Sequence, residues 1–453
     1  MRNRSFAGPV LLIGVGGLFL LNNMFPGISV WSLLGEWWPL LLIVFGFIRV
    51  VEVLIAFNTG AANSGSRPFA TRSMGFGWIL AIIFLSAALS LPHHINPNWH
   101  WGSLKAGGVQ LFGEEFDYPT TQISPAGSAT RLVIDNLKGS ITVTGGDGSE
   151  VRVDGQKTVR AYDKNDADAV NQQSALKLVP EGDALYLRAD EPSSSHQTKL
   201  SVNLEITIPK NMSVEARGRT GDLTVSSISG GVDISSQRGE IRLQDVGGNA
   251  KLDVEHADLV RANNVKGTID IQGKGRDIQL ENVSGQVTIN GQFSGTLDFK
   301  NLAMPLHFES DQTDVKVEKL PGNISMDLGD FRADNLVGPV RLVMHSRDVH
   351  LDEFSGPVDI EVGRGDVELK PDKGKLARMD VKCHEGNVDI SLPTDGVFDL
   401  KASARQGDIN NDYGDGLIAD TEGRTNSLHS PKDEGPAIVL NSDRGEISVR
   451  KLD

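Results

Sequence analysis

From residue 221 onward one short pattern returns: a turn residue, an acid, an apolar residue, any residue, and a second apolar residue. It reads TGDLTV, RGEIRL, GRDIQL, SRDVHL, RGDVEL and RGEISV among its copies. The third position falls at 222, 240, 258, 277, 296, 314, 330, 348, 366, 387, 408 and 446, in steps of 18, 18, 19, 19, 18, 16, 18, 18, 21, 21 and 38 residues, the last being twice nineteen. A step this steady is an internal repeat. A second half-pattern, apolar-x-Gly-x-apolar-x-apolar, is interleaved with it: Val265-x-Gly267 leads to Ile269 and Ile271, Val283-x-Gly285 to Val287 and Ile289, and Leu320-x-Gly322 to Ile324 and Met326. Met304 stands where one turn would have its Gly. Alternation with a period of two marks strands with one buried face, and helical spacing is absent throughout. The recurring Gly suits corners that need positive φ or close backbone approach.

These features predict an all-β solenoid, a single-stranded β-helix of about 18 to 19 residues per turn. Inward Ile, Val and Leu stack on the same positions one turn above at the strand spacing of about 4.8 Å, so a dozen turns give a rod of roughly 50 to 60 Å. Ile278, Val315, Val349 and Val367 are expected in one continuous column. The pattern also interprets Arg364-Gly365-Asp366 in GRGDVEL, a tripeptide that elsewhere serves as a cell-attachment signal. It is the ninth copy of the corner, with Val367 and Leu369 as its inward pair and Arg238 and Arg444 as counterparts of Arg364. Periodicity accounts for every residue in it, and the tripeptide reads as structural punctuation.

The first 92 residues differ in kind. Residues 8–24, 37–57 and 75–91 are each apolar for the 17 to 25 residues that a bilayer-spanning helix requires. The alternative for the first is a cleaved signal peptide, but NNMFPG follows its apolar core in place of a small-residue cleavage site. Arg2 and Arg4 precede the first span, Arg67 and Arg72 separate the second from the third, and residues 25 to 36 have no Lys or Arg. The positive-inside rule then puts the N-terminus in the cytoplasm and everything after Leu91 outside it. The expected organisation is a membrane domain over 1–92, a Gly- and Pro-rich linker over 93–129, an N-terminal β region over 130–220 and the solenoid repeats over 221–453. Residues 163 to 176 are the one plausible exported helix, a cap for the first turn. Tyr413 to Pro436 fills one missing copy and reads as an extruded loop.

Recognisable chemistry is sparse. A net charge of −15 with no visible basic cluster argues against a nucleic-acid partner. Acids stacked at one corner per turn raise calcium binding, but Thr296 and Asn387 interrupt the series and the calcium solenoid period is nine residues. His93, His94 and His100 follow no recurrent zinc spacing. Cys383 alternates inward and His384 outward, so they form no nucleophile–base pair. Arg341, His345, Arg347, His350 and Asp352 would suit a face that cleaves acidic polysaccharide, yet no motif marks them. The expectation is therefore no catalytic, cofactor-binding or metal-binding residue and no cofactor.

Over about residues 130 to 453, the acidic corners and V-x-G-x-V-x-I strands resemble a bacterial adhesin-like β-solenoid domain family of unknown biochemical function. GPVLLIGVGGLFLLNN followed by WWPLLLIVFGF resembles the membrane region of Lia-type cell-envelope stress proteins. Together they imply a multi-pass bacterial membrane protein, held in the bilayer by residues 8–24, 37–57 and 75–91, that presents a non-catalytic solenoid to envelope polymer or to another envelope protein. The alternatives are a cell-envelope stress regulator acting on a membrane kinase, which the second resemblance implies, and a polysaccharide-cleaving β-helix enzyme.

Overall fold

The computed structural model describes residues 105–106, 109–110, 113–189, 199–374 and 376–452. The three expected membrane spans and His93, His94 and His100 lie outside them. Among the described residues no helix is long and apolar enough to cross a membrane. Strand dominates the described residues, which include one short helix.

From Val232 the chain coils as the repeat predicts. Each coil has two arms that lie in two facing sheets. On the first face Val232, Ala250, Ile269, Val287 and Leu306 stand in parallel register, one coil apart. On the second face the same is true of Ile241, Val260, Ile278 and Leu297. All are buried, and the space between the faces is one continuous apolar core. The sequence forms this structure because period-two alternation gives each arm one apolar side, and 18- or 19-residue spacing lays that side on its neighbour.

Two unlike edges join the faces. One carries the acidic corners, termed here the glycine edge. At the other, Asp245, Asn264, Asn282 and Asn301 take φ between +51° and +57°, a left-handed conformation in which Asn and Asp are the most tolerated residues after Gly. Their side chains continue from coil to coil: Asn264 Nδ2 donates to Asp245 Oδ1 at 2.5 Å, and Asn301 Nδ2 to Asn282 Oδ1 at 2.7 Å. The following residue, Val246, Val265, Val283 or Leu302, turns into the core. Gly285 on this edge is required by crowding, since an added Cβ would lie 2.2 Å from the Gly267 carbonyl oxygen.

Three departures correct the repeat reading. First, the coil Thr313–Met326 runs backwards. It pairs antiparallel with Leu306–Ser310 and Val337–Ser346 on the first face, and with Leu297–Leu302 and Asp330–Asp334 on the second. Val315 therefore lies on the first face between Phe308 and Leu342, whereas Ile278, Val349 and Val367 belong to the second. Alternation buries a strand equally well in either direction, so the pattern could not reveal the reversal. Hairpins at both ends of this coil make it possible, the second held by Asp327 Oδ1, which accepts the N–H groups of Gly329 (2.7 Å) and Asp330 (2.8 Å). Phe299, Phe308 and Phe331, three of the largest fully buried side chains, flank it.

Second, both ends of the solenoid are built out of chain order. Ile438 and Ile447 sit beside Met379 and Val388, a displacement of 59 residues, and Leu400 and Ile409 lie beyond them. The copy at 446 thus neighbours that at 387, and 408 is outermost. At the opposite end Arg131–Lys138 is inserted between Ala184–Ala189 and Ser213–Thr220. The expected loop after Tyr413 contains a hairpin, Ile418–Glu422 with Thr425–His429, that extends the first face.

Third, the expected linker contains a 12-residue strand, Glu114–Pro125, paired with Glu150–Ala161. It is an edge strand with one partner, where Pro119 and Pro125 are tolerated. The helix α1, Lys164–Gln173, is N-capped by Asp163, whose carboxylate accepts the Asp166 N–H at 2.9 Å. Its Ala167 and Val170 pack on Val159 and Ala161 in a small separate core, so it covers these strands and does not lie across a coil end.

Candidate functional site

The Arg364-Gly365-Asp366 corner is assembled by coil stacking. Gly365 has φ +138°, and an added Cβ would lie 2.1 Å from the Arg347 carbonyl oxygen, so both the conformation and the close approach demand glycine. Asp366 N–H donates to Asp348 Oδ1 at 2.9 Å, while Asp366 Oδ1 accepts the Asn387 N–H at 2.7 Å. Asn387 Oδ1 then accepts the Glu446 N–H at 2.9 Å. Asp348, Asp366 and Asn387 thus form a ladder in which each side chain satisfies one backbone donor of the next coil. The Arg364 guanidinium meets Glu385 at 3.0 Å and Arg444 approaches the same carboxylate at 2.8 Å. These two hydrogen-bonded cations, Arg364 foremost, hold Glu385 below the usual carboxylate range. All three side-chain positions of the tripeptide have a structural task.

The five residues considered for polysaccharide cleavage do not converge. Arg341 and His345 belong to the first-face strand Val337–Ser346, whereas His350 and Asp352 belong to the second-face strand Asp348–Phe354. Arg347 lies on the glycine edge, where its Nε donates to the Asp327 carbonyl at 2.5 Å and its guanidinium reaches Thr313 Oγ1. His350 Nδ1 is 3.0 Å from Glu368; Lys370 first and His350 next draw that carboxyl below its ordinary range. Cys383 is buried and His384 outward, as expected. Burial above all pushes the thiol up to about 11, and its Sγ lies 3.3 Å from the Gly365 carbonyl. His384 pairs with Asp443 at 2.9 Å. Among the described residues no group of His, Cys, Asp or Glu is placed to hold a metal ion.

A cleft of about 470 Å³ opens on the first face, lined by Pro305, His307, Lys316, Arg341, Pro357 and Asp380 among others. Register places His307, Lys316, Arg341, Asp359 and Asp380 in one cross-strand row. His307 Nε2 is 3.3 Å from Asp314 Oδ1, an ion-pair distance without hydrogen-bond geometry, and Asp380 Oδ1 is buried without a hydrogen-bond partner. Sequence reasoning missed this row because it assigned 314–317 to the other face; only the reversed coil brings Lys316 between His307 and Arg341. The cleft joins both charge signs in a shallow bed without a nucleophile beside a base, which suits recognition of a polar surface.

The described strands define a two-faced β-repeat with a buried apolar core and outward polar rows. Residues 129–450 match the Toastrack DUF4097 family model, and the chain belongs to that family. Residues 7–109 match the LiaF transmembrane domain, making this a membrane protein of the cell envelope. Among curated proteins none matches. Similar solved structures include "a putative cell adhesion protein" from Clostridium sporogenes, 10% identical over 74% of this chain and 100% of that one, with a TM-score of 0.19. A second, "a putative adhesin" from Bacteroides fragilis, is 9% identical over 74% and 97%, with a TM-score of 0.17. At those scores neither supports an argument about this chain.

Proposed function

We propose that this protein is a non-catalytic scaffold, anchored by helices at 8–24, 37–57 and 75–91, that presents its solenoid outside the cytoplasm to envelope polymer or to another envelope protein. The observation that carries the reading is the uninterrupted core of register-matched coils. It holds a long surface of outward rows at fixed spacing, so weak contacts add along the length. The LiaF transmembrane match favours a second reading, in which the membrane region acts on a sensor kinase.

Crosslinking of the full-length protein in its native membrane, followed by identification of what is attached, separates the two. Scaffolding expects envelope polymer or protein joined to the solenoid, and capture that survives deletion of residues 1–92. Capture of a kinase alone, lost with that deletion, would overturn it in favour of regulation. Release of sugar products from envelope polysaccharide would overturn it in favour of catalysis.

A further inference from the structure

The glycine edge carries a feature invisible along the chain. Between Arg238 and the two hairpins of the reversed coil runs an open groove of about 580 Å³. Parallel register sets Arg238 beside His256 and Lys274 beside Gln292 on successive coils, and Arg276 lines the same groove. Arg238, His256, Lys274 and Arg276 are exposed, and among the described residues none of their side chains makes an ion pair or hydrogen bond. They gather in one groove of a protein with fifteen more acids than bases. Elsewhere on the same solenoid several cations find carboxylates: Arg332 with Asp330, Arg364 with Glu385, Lys370 with Glu368 and Arg450 with Asp389. Two acids line the groove, Asp258 and Asp311, and Asp311 is engaged by Gln292 Nε2. The neighbouring corner acid Asp277 is committed to the Thr296 N–H at 2.9 Å. The local charge is therefore positive.

Arg238 and Lys274 stand two coils apart, about 10 Å at the strand spacing of about 4.8 Å, and repel across His256. An anion lying across them relieves that repulsion and releases counterions. The groove follows the stacking direction, so its occupant is linear. Arginine forks match phosphate oxygens in bidentate fashion. Phe293, which lines the groove, is 7% exposed, so of its rings only His256 offers a face for the base stacking that single-stranded nucleic acids use.

We propose that the glycine-edge groove binds a linear phosphodiester-linked polymer of polyols, with Arg238, Lys274 and Arg276 each taking a phosphate. This rests on the scaffold reading and names the chemistry of its polymer.

The test uses the full-length protein in nanodiscs of zwitterionic lipid, with poly(glycerol phosphate) as the probe. About three phosphate contacts give a slope near −2 in log affinity against log salt, so affinity falls roughly 20-fold between 50 and 200 mM salt. The triple variant Arg238→Gln, Lys274→Gln, Arg276→Gln is expected to lose at least roughly 20-fold at 50 mM salt and to flatten the slope. These side chains are exposed, so folding is expected to persist, checked by unchanged hydrogen exchange in 232–302. A matched triple on paired cations, Arg332→Gln, Lys370→Gln and Arg450→Gln, is expected to bind as wild type. Polyuronate or single-stranded DNA outcompeting the phosphate polymer would overturn the assigned chemistry. Equal binding by the cation-column variant, or no binding to the probe at 50 mM salt, would overturn the site. If the variant still pulls down isolated envelope material, the scaffold reading stands without this groove; if wild type retains no such material, the scaffold reading itself falls.

Discussion

Replacing Gly365 by Ala tests whether the Arg-Gly-Asp corner is held by stacking. The new Cβ would lie 2.1 Å from the Arg347 oxygen at φ +138°. The conformation alone costs about 1–3 kcal/mol. Clearing the overlap must also shift the backbone that makes two coil-to-coil hydrogen bonds, Gly365 N–H to the Glu385 carbonyl and Asp366 N–H to Asp348, both at 2.9 Å, each worth about 1 kcal/mol. A loss of about 3 kcal/mol raises the local opening equilibrium constant, and with it the exchange rate, by roughly 100-fold. Hydrogen exchange of the full-length protein in nanodiscs, followed in peptides spanning 347–369 and 379–390, measures it. Peptides from 250–283 should not change, because coils feel mainly their neighbours. Two controls separate the causes. Gly182 has φ +63° and nothing within 4 Å of an added Cβ, so Gly182→Ala should cost only about 1–2 kcal/mol in its own turn. Arg364 is 74% exposed at its side chain, so Arg364→Ala should alter exchange by about threefold or less. Unchanged exchange in Gly365→Ala, or equal loosening in Arg364→Ala, would refute the stacking account of this corner.

The remaining predictions concern the core and the ends. Phe331→Ala empties a site next to the reversed coil and should destabilise it by about 3–5 kcal/mol, while Phe331→Leu should cost much less; hydrogen exchange in 313–334 distinguishes them. Ending the chain at Pro436 removes Ile438, Leu440, Ile447 and Val449 from between two coils. Residues 379–430 should then be cut by protease under conditions that spare 232–302. Cys383 is raised to about 11 chiefly by burial, so roughly one thiol in a thousand is thiolate at pH 8. Maleimide labelling of the folded chain should be negligible there and rise only toward pH 11, whereas labelling near pH 8 at the rate of a free cysteine would show that the interior is open.

What was legible follows from the physics of alternation. The inward residues were readable one by one: Ile278, Val349, Val367, Leu320 and Ile324 are all buried, because side-chain period identifies the buried face. Strand direction and coil order were not. QTDVKV and LPGNISM obey the same alternation as their neighbours, and steps of 18 and 16 residues around position 314 imitate a coil. Faint signals were Met304 in place of a Gly and the Asp327-Leu328-Gly329 turn. The 38-residue step hid the insertion at the C-terminal end, since a gap of two periods looks identical whether the missing coil is skipped or filled later. Glu114–Pro125 was concealed by its two prolines. Arg238, His256, Lys274 and Arg276 are too far apart in sequence to read as a patch and become neighbours only through coil register.

Coil order also bears on where a repeat of this kind can hold a ligand. Stability in a repeat array is shared between neighbours, so an end coil with one neighbour frays first. Here the C-terminal segment, Ala437–Leu452, has a partner on each side in both faces, and Arg131–Gly146 is likewise enclosed at the other end. Stripping either segment breaks two ladders per face instead of one. Between these locked ends, the coils from Ser213 to Leu302 follow one another in chain order and parallel register up to the reversal. A spacing-dependent contact belongs in that run. The column of Arg238, His256 and Lys274 occupies it, and the hairpins flanking Thr313–Met326 close its far side with Asp311, Gln312 and Leu328. The reversed coil, which contributes nothing to regularity, thus ends the groove and determines how many repeating units of a linear polymer the edge can engage.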